Sequence, residues 1–324
     1  MKGKFLIIAL LFTVPVVKAQ QTEAVGVSPW GPEDEIGTLN MMSEASRLQV
    51  LLQISSGKIY DLSVDYFVGM PSFHSLGDPG YQYWLTHTPH GTIVDNPNGR
   101  GEEMNQKVSY TGDAVSMYTH MGTHIDALNH FGLNGKIWNG FTEEKYLGDK
   151  GWKKTGAETI PPIISRGVLI DVEGQIGPLP KNYRITSADL RKTLKLQQIT
   201  LKKGDVVLIR TGQARFYQDA GQYLDQYPGI SLDAVKWLVE EKQIMLLGAD
   251  NLSLEAFPPE IEDNWVPVHT YLLAEKGVMF IEQMFLEDLA ADQVYVFAFM
   301  AASLKLKGAS GAPMRPLAIP VNKD

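Results

Sequence analysis

Three histidines and an aspartate fall within the eleven residues His120–His130, which read HMGTHIDALNH. The whole chain contains only seven histidines. Neutral imidazole nitrogens and carboxylate oxygens are ligands that divalent transition metals prefer in proteins. The segment therefore predicts a metal site, with His120, His124, Asp126 and His130 as its candidate residues.

The spacing of these residues constrains the backbone. In a straight strand, at about 3.3 Å per residue, His120 and His124 would stand roughly 13 Å apart, too far for nitrogens that each lie about 2 Å from one ion. A straight helix would bring them together but would turn Asp126 away from their face. We expect a turn at Gly122, which can adopt positive φ values, followed by a strand on which His124 and Asp126 share one side.

A structural role is the alternative. Histidines at local spacing can cap turns, and Asp126 could cap a short helix through Ala127 and Leu128. However, burying several ionisable groups without a metal or charged partners is costly, so we favour the metal site.

The N-terminus resembles an export signal. Two lysines precede an apolar run from Phe5 to Val17, and Val17 and Ala19 fit the small residues before a cleavage point. The run is short for a membrane span, and a buried strand or a single anchor is the alternative. We predict a signal peptide at residues 1–19, an exported protein, periplasmic or secreted, and one domain over residues 20–324.

Charge and cysteine content exclude several classes of protein. Cleavage after Ala19 would remove three lysines and no acid, which changes the formal charge from −8 to −11. Once the signal is removed, a chain this acidic is a poor candidate for binding nucleic acid or an anionic membrane. It contains no cysteine, which excludes disulfides, thiolate nucleophiles and cysteine-based zinc sites.

Strand and helix patterns alternate along the chain, which predicts an α/β domain with a central sheet that is mixed or partly parallel. The predicted strands are Lys58–Val64, Val115–Thr119, Gly167–Val172, Asp205–Arg210, Gln243–Ala249, Gly277–Glu282 and Val294–Met300. The predicted helices are Glu44–Ile54, Ala188–Gln198 capped by Ser187, Leu232–Lys242 capped by Ser231, and Val268–Lys276 closed by Gly277.

The segment Ser72–Tyr110 has weak periodicity and predicts a long ordered loop. Its aromatic and histidine side chains could form a wall for an aryl substrate, although a private core of the loop is the more ordinary expectation; they are Phe73, Tyr81, Tyr83, Trp84, His87 and His90. Near the C-terminus, Lys307 and Arg315 could contact a substrate carboxylate, although a solvated position is the more ordinary expectation.

Two further candidates lie downstream: His269 opens an apolar helical pattern, and Glu282 ends the strand pattern GVMFIE. A strand that ends in a carboxylate can aim that group into a site. Taken alone, each could equally be an ordinary histidine at a helix start or glutamate at a strand end.

The histidine segment resembles the signature HxGTHxDxPxH of the metal-dependent cyclase family, which includes bacterial kynurenine formamidase and isatin hydrolase. The one departure is Leu128, where the family often has proline. Other segments look like family segments in the expected order; they are Trp30–Asn40, Tyr60–Ser63, Gly69–Phe73, Arg210–Gly212, Gly248–Asn251 and Lys307–Ile319.

The resemblance implies an α/β swivelling-type fold and a homodimer or homotetramer. It implies metal ligation by His120, His124, Asp126, His269 and Glu282. His130 is similar to the acid/base histidine of the family. One or two divalent ions, zinc or manganese, would be the cofactor.

These features lead us to expect a metal-dependent hydrolase, arylformamidase-like and acting on C–N bonds. Metal-activated water would open an amide, lactam or ester carbonyl of a small substrate. Two alternatives stay open. One is a non-haem iron oxygenase, because His124, Asp126 and His269 imitate a triad of two histidines and one carboxylate, although a β jelly roll would then be expected. The other is an exported metal- or ligand-binding protein without catalysis.

Overall fold

The computed structural model describes residues 24–322, so the predicted signal peptide lies outside the described residues. The strands are β1 (Tyr60–Asp61), β2 (Gln82–His87), β3 (Gly112–Ser116), β4 (His124–Asp126), β5 (Leu147–Gly148), β6 (Gly151–Trp152), β7 (Ile163–Asp171), β8 (Arg184–Ile185), β9 (Val206–Arg210), β10 (Gly229–Ile230), β11 (Leu246–Ala249), β12 (Phe280–Glu282), β13 (Val296–Ala301), β14 (Gly311–Pro313) and β15 (Leu317–Pro320). The α-helices are α1 (Glu44–Leu52), α2 (Pro89–Asp95), α3 (Glu102–Lys107), α4 (Glu143–Tyr146), α5 (Val172–Ile176), α6 (Ser187–Gln197), α7 (Ala220–Tyr223), α8 (Leu232–Lys236), α9 (Pro267–His269) and α10 (Glu287–Ala291).

Nine strands form one mixed sheet in the order β1-β15-β13-β7-β9-β11-β12-β4-β14. The neighbours β7, β9, β11 and β12 run parallel, and the strands outside them join by antiparallel pairing. Every residue of β9, VVLIR, is buried, as expected for a parallel strand covered on both faces. Helices α1, α6 and α10 contact β7. The predicted α/β class, with a central mixed sheet flanked by helices, is confirmed.

Five predicted strands are confirmed with shifted ends, as β7, β9, β11, β12 and β13. Two predictions need correction. Of the predicted Lys58–Val64, only Tyr60 and Asp61 pair with another strand. The strand predicted at Val115–Thr119 ends at Ser116 and pairs with β2 outside the main sheet, because the chain then enters the turns before the histidine cluster.

The predicted helices are present, but one of the predicted N-cap residues is wrong. Ser43 caps α1 and Ser231 caps α8, the latter as predicted. Helix α6 is capped by Thr186 and not by Ser187, because the Thr186 hydroxyl accepts from the Asp189 backbone N–H while the Asp189 carboxylate accepts from the Thr186 backbone N–H. This reciprocal capping box satisfies two free N–H groups at once.

Two predicted helices widen into π-helical turns. Helix α8 continues as a π-helix over Trp237–Glu241, and α9 continues as one over Thr270–Lys276. Gly277 closes the second, as predicted, at φ +63°, where a Cβ would also lie 2.6 Å from the Trp138 ring. Within residues 24–322, no helix is both long and apolar enough to cross a membrane.

The segment Ser72–Tyr110 is more regular than the predicted loop. It contains β2, α2 and α3. Helix α2 forms because Thr88 caps it by accepting from the Gly91 N–H and because Pro89 occupies its first turn. The weak hydrophobic periodicity is explained by exposure, since every residue of β2 from Gln82 to Thr86 is exposed.

A buried arginine joins the ends of three elements. The Arg210 guanidinium, at the end of β9, donates to Asp171 at 2.7 Å and to both carboxylate oxygens of Glu287 at 3.1 and 2.6 Å. Glu173 lies 2.9 Å from the same guanidinium. Burial opposes the charged form, but Glu287 and Asp171 together raise the pKa of Arg210 above its ordinary value.

Replacing Arg210 should therefore destabilise the fold. Arg210→Met leaves buried carboxylates without their cation, and we expect the free energy of unfolding to fall by about 3–5 kcal/mol. Lys107→Met removes only the exposed pair with Glu103 and should cost less than about 1 kcal/mol. Urea denaturation of both variants measures the difference, and equal losses would contradict this account of the cluster.

Candidate metal centre

The histidine segment bends where its sequence predicts. Gly122 has φ +60°, and the chain then enters strand β4, which runs from His124 to Asp126. A Cβ on Gly122 would lie 2.5 Å from Cζ of Tyr66, whose hydroxyl donates to the Thr123 carbonyl at 2.8 Å. Both the backbone conformation and the close approach of Tyr66 therefore require glycine.

Strand pairing brings the distant glutamate to this segment. Strands β4 and β12 run antiparallel, with Glu282 opposite His124 and Phe280 opposite Asp126. Residues directly opposite each other project on the same face of a sheet. His269, at the end of α9, reaches Glu282 with its Nε2 3.4 Å from Oε1. The structure thus brings together the two stretches that the sequence separates by about 150 residues.

Two groups of side chains have ligand atoms within 4.8 Å of one another and could each hold a metal ion. The first contains His120, His124 and Asp126, and the second contains Asp126, His269 and Glu282. Asp126 belongs to both groups, so its carboxylate occupies the position from which it could bridge two ions. All five side chains are buried.

Buried atoms without hydrogen-bond partners support this interpretation. His124 Nε2, Asp126 Oδ2 and Glu282 Oε1 lack a partner. Such atoms are costly to bury, and a cation is the partner that would satisfy an imidazole nitrogen and two carboxylate oxygens at once. His124 Nε2 also lies 3.2 Å from Asp126 Oδ1 and 3.4 Å from Glu282 Oε2. The donor set of imidazole and carboxylate fits zinc or manganese.

Two of the imidazoles are oriented by their second nitrogen. His124 Nδ1 lies 2.8 Å from the Gly122 carbonyl, to which it donates, and His269 Nδ1 lies 2.5 Å from Oε1 of Glu255. In both rings this leaves Nε2 facing the carboxylates. A hydrogen bond from the distal nitrogen to a carbonyl or carboxylate is how proteins fix a metal-binding imidazole.

His120 is placed differently. Its Nδ1 lies 2.7 Å from Asp126 Oδ1 and its Nε2 lies 2.9 Å from the Ser310 hydroxyl. Both ring nitrogens therefore have partners, and one of them must be exchanged if His120 is to bind an ion. Gly311 packs against this ring, since a Cβ there would lie 2.5 Å from Cε1.

The carboxylates control the charge of the centre. Burial opposes the charged form of His124, but Asp126 and Glu282 raise its pKa to about 10. Burial likewise opposes protonation of His269, but Glu255 and Glu282 raise its pKa to about 10. A metal that binds either Nε2 must therefore displace a proton.

His130 lies beside the centre, and its pKa is lowered where those of His124 and His269 are raised. Its ring stacks on His120 at 3.7 Å between centroids, and its Nε2 lies 3.6 Å from Asp126 Oδ2. Burial and the nearby charge of His120 lower the pKa of His130 well below its ordinary value, which favours a neutral ring able to accept a proton. The side chain is 17 % exposed, whereas those of His120, His124 and Asp126 are nearly inaccessible.

A cavity of about 280 Å³ opens beside these residues, and His120, His130, His269 and Glu282 line it. Most of its remaining lining is apolar and aromatic: Phe73, Leu76, Tyr118, Phe131, Phe257, Trp265 and Val266, with Asp78 and Ser253 as the polar exceptions. The predicted site residues that face open space are therefore one candidate ligand from the histidine segment, both candidate ligands from the downstream stretch, and the acid/base candidate.

The cavity takes little from the aromatic and histidine set of Ser72–Tyr110, for which a wall against an aryl substrate was the less favoured interpretation. Only Phe73 of that set lines the cavity; Tyr81 packs edge-on against Tyr66, and His87 lies against Tyr110. Tyr83 and Trp84 are exposed.

The C-terminal cations behave as the solvated alternative predicts. Arg315 donates to Asp61 at 2.8 Å and its side chain is 77 % exposed. Lys307 is exposed, and neither residue lines the cavity.

The family model Cyclase matches residues 60–256, which is more than half of the chain and includes the histidine segment. The chain belongs to the cyclase family. Cyclase-like protein 2 of Arabidopsis thaliana is 26 % identical over 266 residues, which cover 82 % of this chain and 80 % of that protein.

Solved structures agree with this cyclase fold. The crystal structure of a novel cyclase superposes with a TM-score of 0.80 at 28 % identity and covers 92 % of this chain and 100 % of that one. Isatin hydrolase A from Ralstonia solanacearum superposes with a TM-score of 0.62 at 21 % identity and covers 81 % of this chain and 92 % of that one. The jelly roll expected for the iron-oxygenase alternative is not the fold of this cyclase.

Sequence reasoning about this cyclase missed Glu255 and Ser310. Glu255 is buried and also accepts from the His269 backbone N–H at 3.2 Å, so it holds both the ring and the backbone of His269. The available signal was a single carboxylate in the otherwise uncharged stretch NLSLEAF. Ser310 lies in a segment already matched to the family but carries no local sign of its contact with His120.

Changing Gly122 should disrupt the bend. We expect Gly122→Ala to lower the free energy of unfolding by about 1–3 kcal/mol and to weaken metal binding, because alanine is strained at φ +60° and its Cβ meets Tyr66. Gly57→Ala is the control, since a Cβ there meets nothing within 4 Å. Calorimetric metal titration and thermal unfolding test both variants; wild-type behaviour of Gly122→Ala would show that the bend does not need glycine.

Glu255 should act through His269. We expect Glu255→Ala to weaken metal binding by about 10–100-fold, while Glu255→Gln has a smaller effect because its amide oxygen still accepts from Nδ1. Glu260→Ala removes an exposed carboxylate of the same chain region and should leave affinity unchanged. Metal titration of the folded variants decides, and unaltered affinity in Glu255→Ala would exclude the positioning role.

Proposed function

We propose that this cyclase-family protein is a metal-dependent hydrolase that opens the carbonyl of a small amide, lactam or ester. The single observation that carries the proposal is the set of buried atoms without hydrogen-bond partners on His124, Asp126 and Glu282, beside an apolar cavity that Glu282 lines. Neighbours of the fold include proteins named isatin hydrolase A, and isatin is itself a cyclic amide. An arylformamidase-like reaction at a C–N bond is the form of this chemistry that we favour.

The ligands we assign are the five predicted ones. His124, Asp126, His269 and Glu282 offer atoms that point toward one another, and His120 joins them if an ion takes the place of one of its present partners. Zinc or manganese, as one or two ions, suits these ligands. A divalent ion at this position would act as a Lewis acid and would lower the pKa of water in its coordination sphere toward neutrality.

The residues of the chain would perform the remaining work. His130, uncharged because of its lowered pKa, can take the proton released when water adds to the substrate carbonyl carbon. It can return that proton to the leaving nitrogen or oxygen as the C–N or C–O bond breaks. The stacked His120 and the nearby Asp126 hold the His130 ring in place. Phe131, against both His130 and His269, helps exclude water from the reacting atoms.

A substitution of His130 separates the roles of the histidines. We expect His130→Ala to keep its metal and to lose about 10²–10⁴-fold in turnover, since general acid/base catalysis contributes that much. His124→Ala should instead lose the metal, and His90→Ala, on an exposed helix, should change neither.

Elemental analysis of each purified variant and hydrolysis rates with formanilide, isatin, dihydrocoumarin and phenyl acetate provide the measurements. Loss of metal in His130→Ala would make His130 a ligand. Wild-type protein that holds metal but hydrolyses nothing in the panel, with or without added metal, would favour the metal- or ligand-binding alternative.

We also propose export and self-association as a homodimer or homotetramer. The export proposal rests on the sequence of residues 1–19. Self-association is supported by the hairpin of β2 and β3, where Tyr83, Trp84, Leu85 and Val115 are each about half exposed, an apolar surface of the kind that marks interfaces. Light scattering and N-terminal sequencing of the mature protein would test the two.

A further inference from the structure

The cationic side chains lysine and arginine are missing from the wall of the cavity described above. Among its lining residues, all of which lie in the described part of the chain, there is no lysine or arginine. Apart from the candidate ligands, three lining residues carry a carboxylate or hydroxyl: Asp78, Tyr118 and Ser253. Of these only Asp78 brings a negative charge.

Asp78 is not used by the fold. Within residues 24–322, no hydrogen bond or ion pair engages its carboxylate, and the residue is partly exposed to the cavity mouth. The candidate ligands Asp126 and Glu282 would be neutralised by an ion, but Asp78 belongs to neither group that could hold one. Its negative charge therefore stays available to whatever enters.

Aromatic faces accompany this carboxylate. Five aromatic side chains line the same cavity: Phe73, Tyr118, Phe131, Phe257 and Trp265. Trp265 lies at the rim, 56 % exposed, with its ring 5.7 Å from Phe131. Aromatic rings attract cations through the negative charge of their faces, and protonated or quaternary amines are commonly bound by a combination of such rings. The segment 259–265 that leads into Trp265 contains three acids and no lysine or arginine.

We propose that this cavity selects substrates that carry a cationic amine, with Asp78 and the aromatic wall as the recognition elements for the positive charge. The inference deepens the proposed function by naming its substrate class: a small amide, lactam or ester with a protonated or quaternary amine remote from the carbonyl. An anionic group remote from the reacting carbonyl meets the carboxylate of Asp78 and no lysine or arginine, so it is disfavoured there.

An isosteric pair of probes isolates the charge. Choline and 3,3-dimethylbutan-1-ol have the same shape and differ by the positive charge alone. Ligand-observed NMR titration of zinc-loaded protein should give choline about tenfold tighter binding, the scale of a partly desolvated cation near aromatic faces. Equal or tighter binding of the neutral alcohol would overturn the inference.

Variants then locate the source of the preference. In Asp78→Asn the preference for choline should fall below about threefold, whereas Asp95→Asn, which removes an exposed charge on α2 outside the cavity, should keep it. Trp265→Leu changes an exposed side chain, so it tests the aromatic part even if Asp78→Asn fails to fold. An undiminished preference in both Asp78→Asn and Trp265→Leu would also overturn the inference.

Because the titration measures binding without turnover, the proposed selectivity for cations and the proposed hydrolysis can fail independently. A preference for choline in a protein that hydrolyses nothing would remove the proposed reaction and leave the selectivity. Hydrolysis of the neutral panel together with no preference for choline would remove the selectivity and leave the reaction.

Discussion

Antiparallel pairing between His124–Asp126 and Phe280–Glu282 is the interaction on which the centre depends. Neither strand alone carries the full set of candidate ligands. The three-residue register places Glu282 beside His124 and joins a histidine cluster to the edge of the parallel strands. Pro313 of β14 pairs with His124 from the other side, so the cluster lies inside the sheet and not at its margin. A shift of one residue would turn Glu282 to the opposite face.

The burial of this centre makes it costly without a cation. Carboxylates and imidazoles removed from water lose solvation that hydrogen bonds between them repay only in part, as the unpartnered atoms of His124, Asp126 and Glu282 indicate. The fold nevertheless buries these groups, and it orients the His124 ring through the Gly122 carbonyl and the His269 ring through Glu255. Imidazoles held in this way are typical of sites whose function requires ligands at fixed positions.

Much of this arrangement could be predicted from the sequence, for identifiable reasons. The bend at Gly122 follows from the spacing of two histidines, and the order of strands and helices follows from their periodicities. Helix caps were less predictable, because Thr186 and Ser187 are both good caps and only the partner Asp189 decides between them.

The contacts made between distant segments were beyond local sequence. Glu255 reaches His269 because the segment that carries Glu255 passes beside helix α9, and no local pattern encodes that contact. The cavity wall is drawn from several separate stretches, so of the aromatic set near Phe73 only Phe73 itself lines the cavity, while Phe131 and Trp265 were overlooked. A hairpin replaced the predicted loop because exposed strands lack the alternation that reveals half-buried ones.

Anomalous X-ray diffraction from crystals of the zinc-loaded or manganese-loaded protein tests the central claim most directly, because it locates the ion independently of activity. The account predicts a peak about 2.0–2.2 Å from His124 Nε2 and from a carboxylate oxygen of Asp126, with His269 and Glu282 at the same or an adjacent peak. A peak away from these side chains, or none at saturating metal, would contradict it.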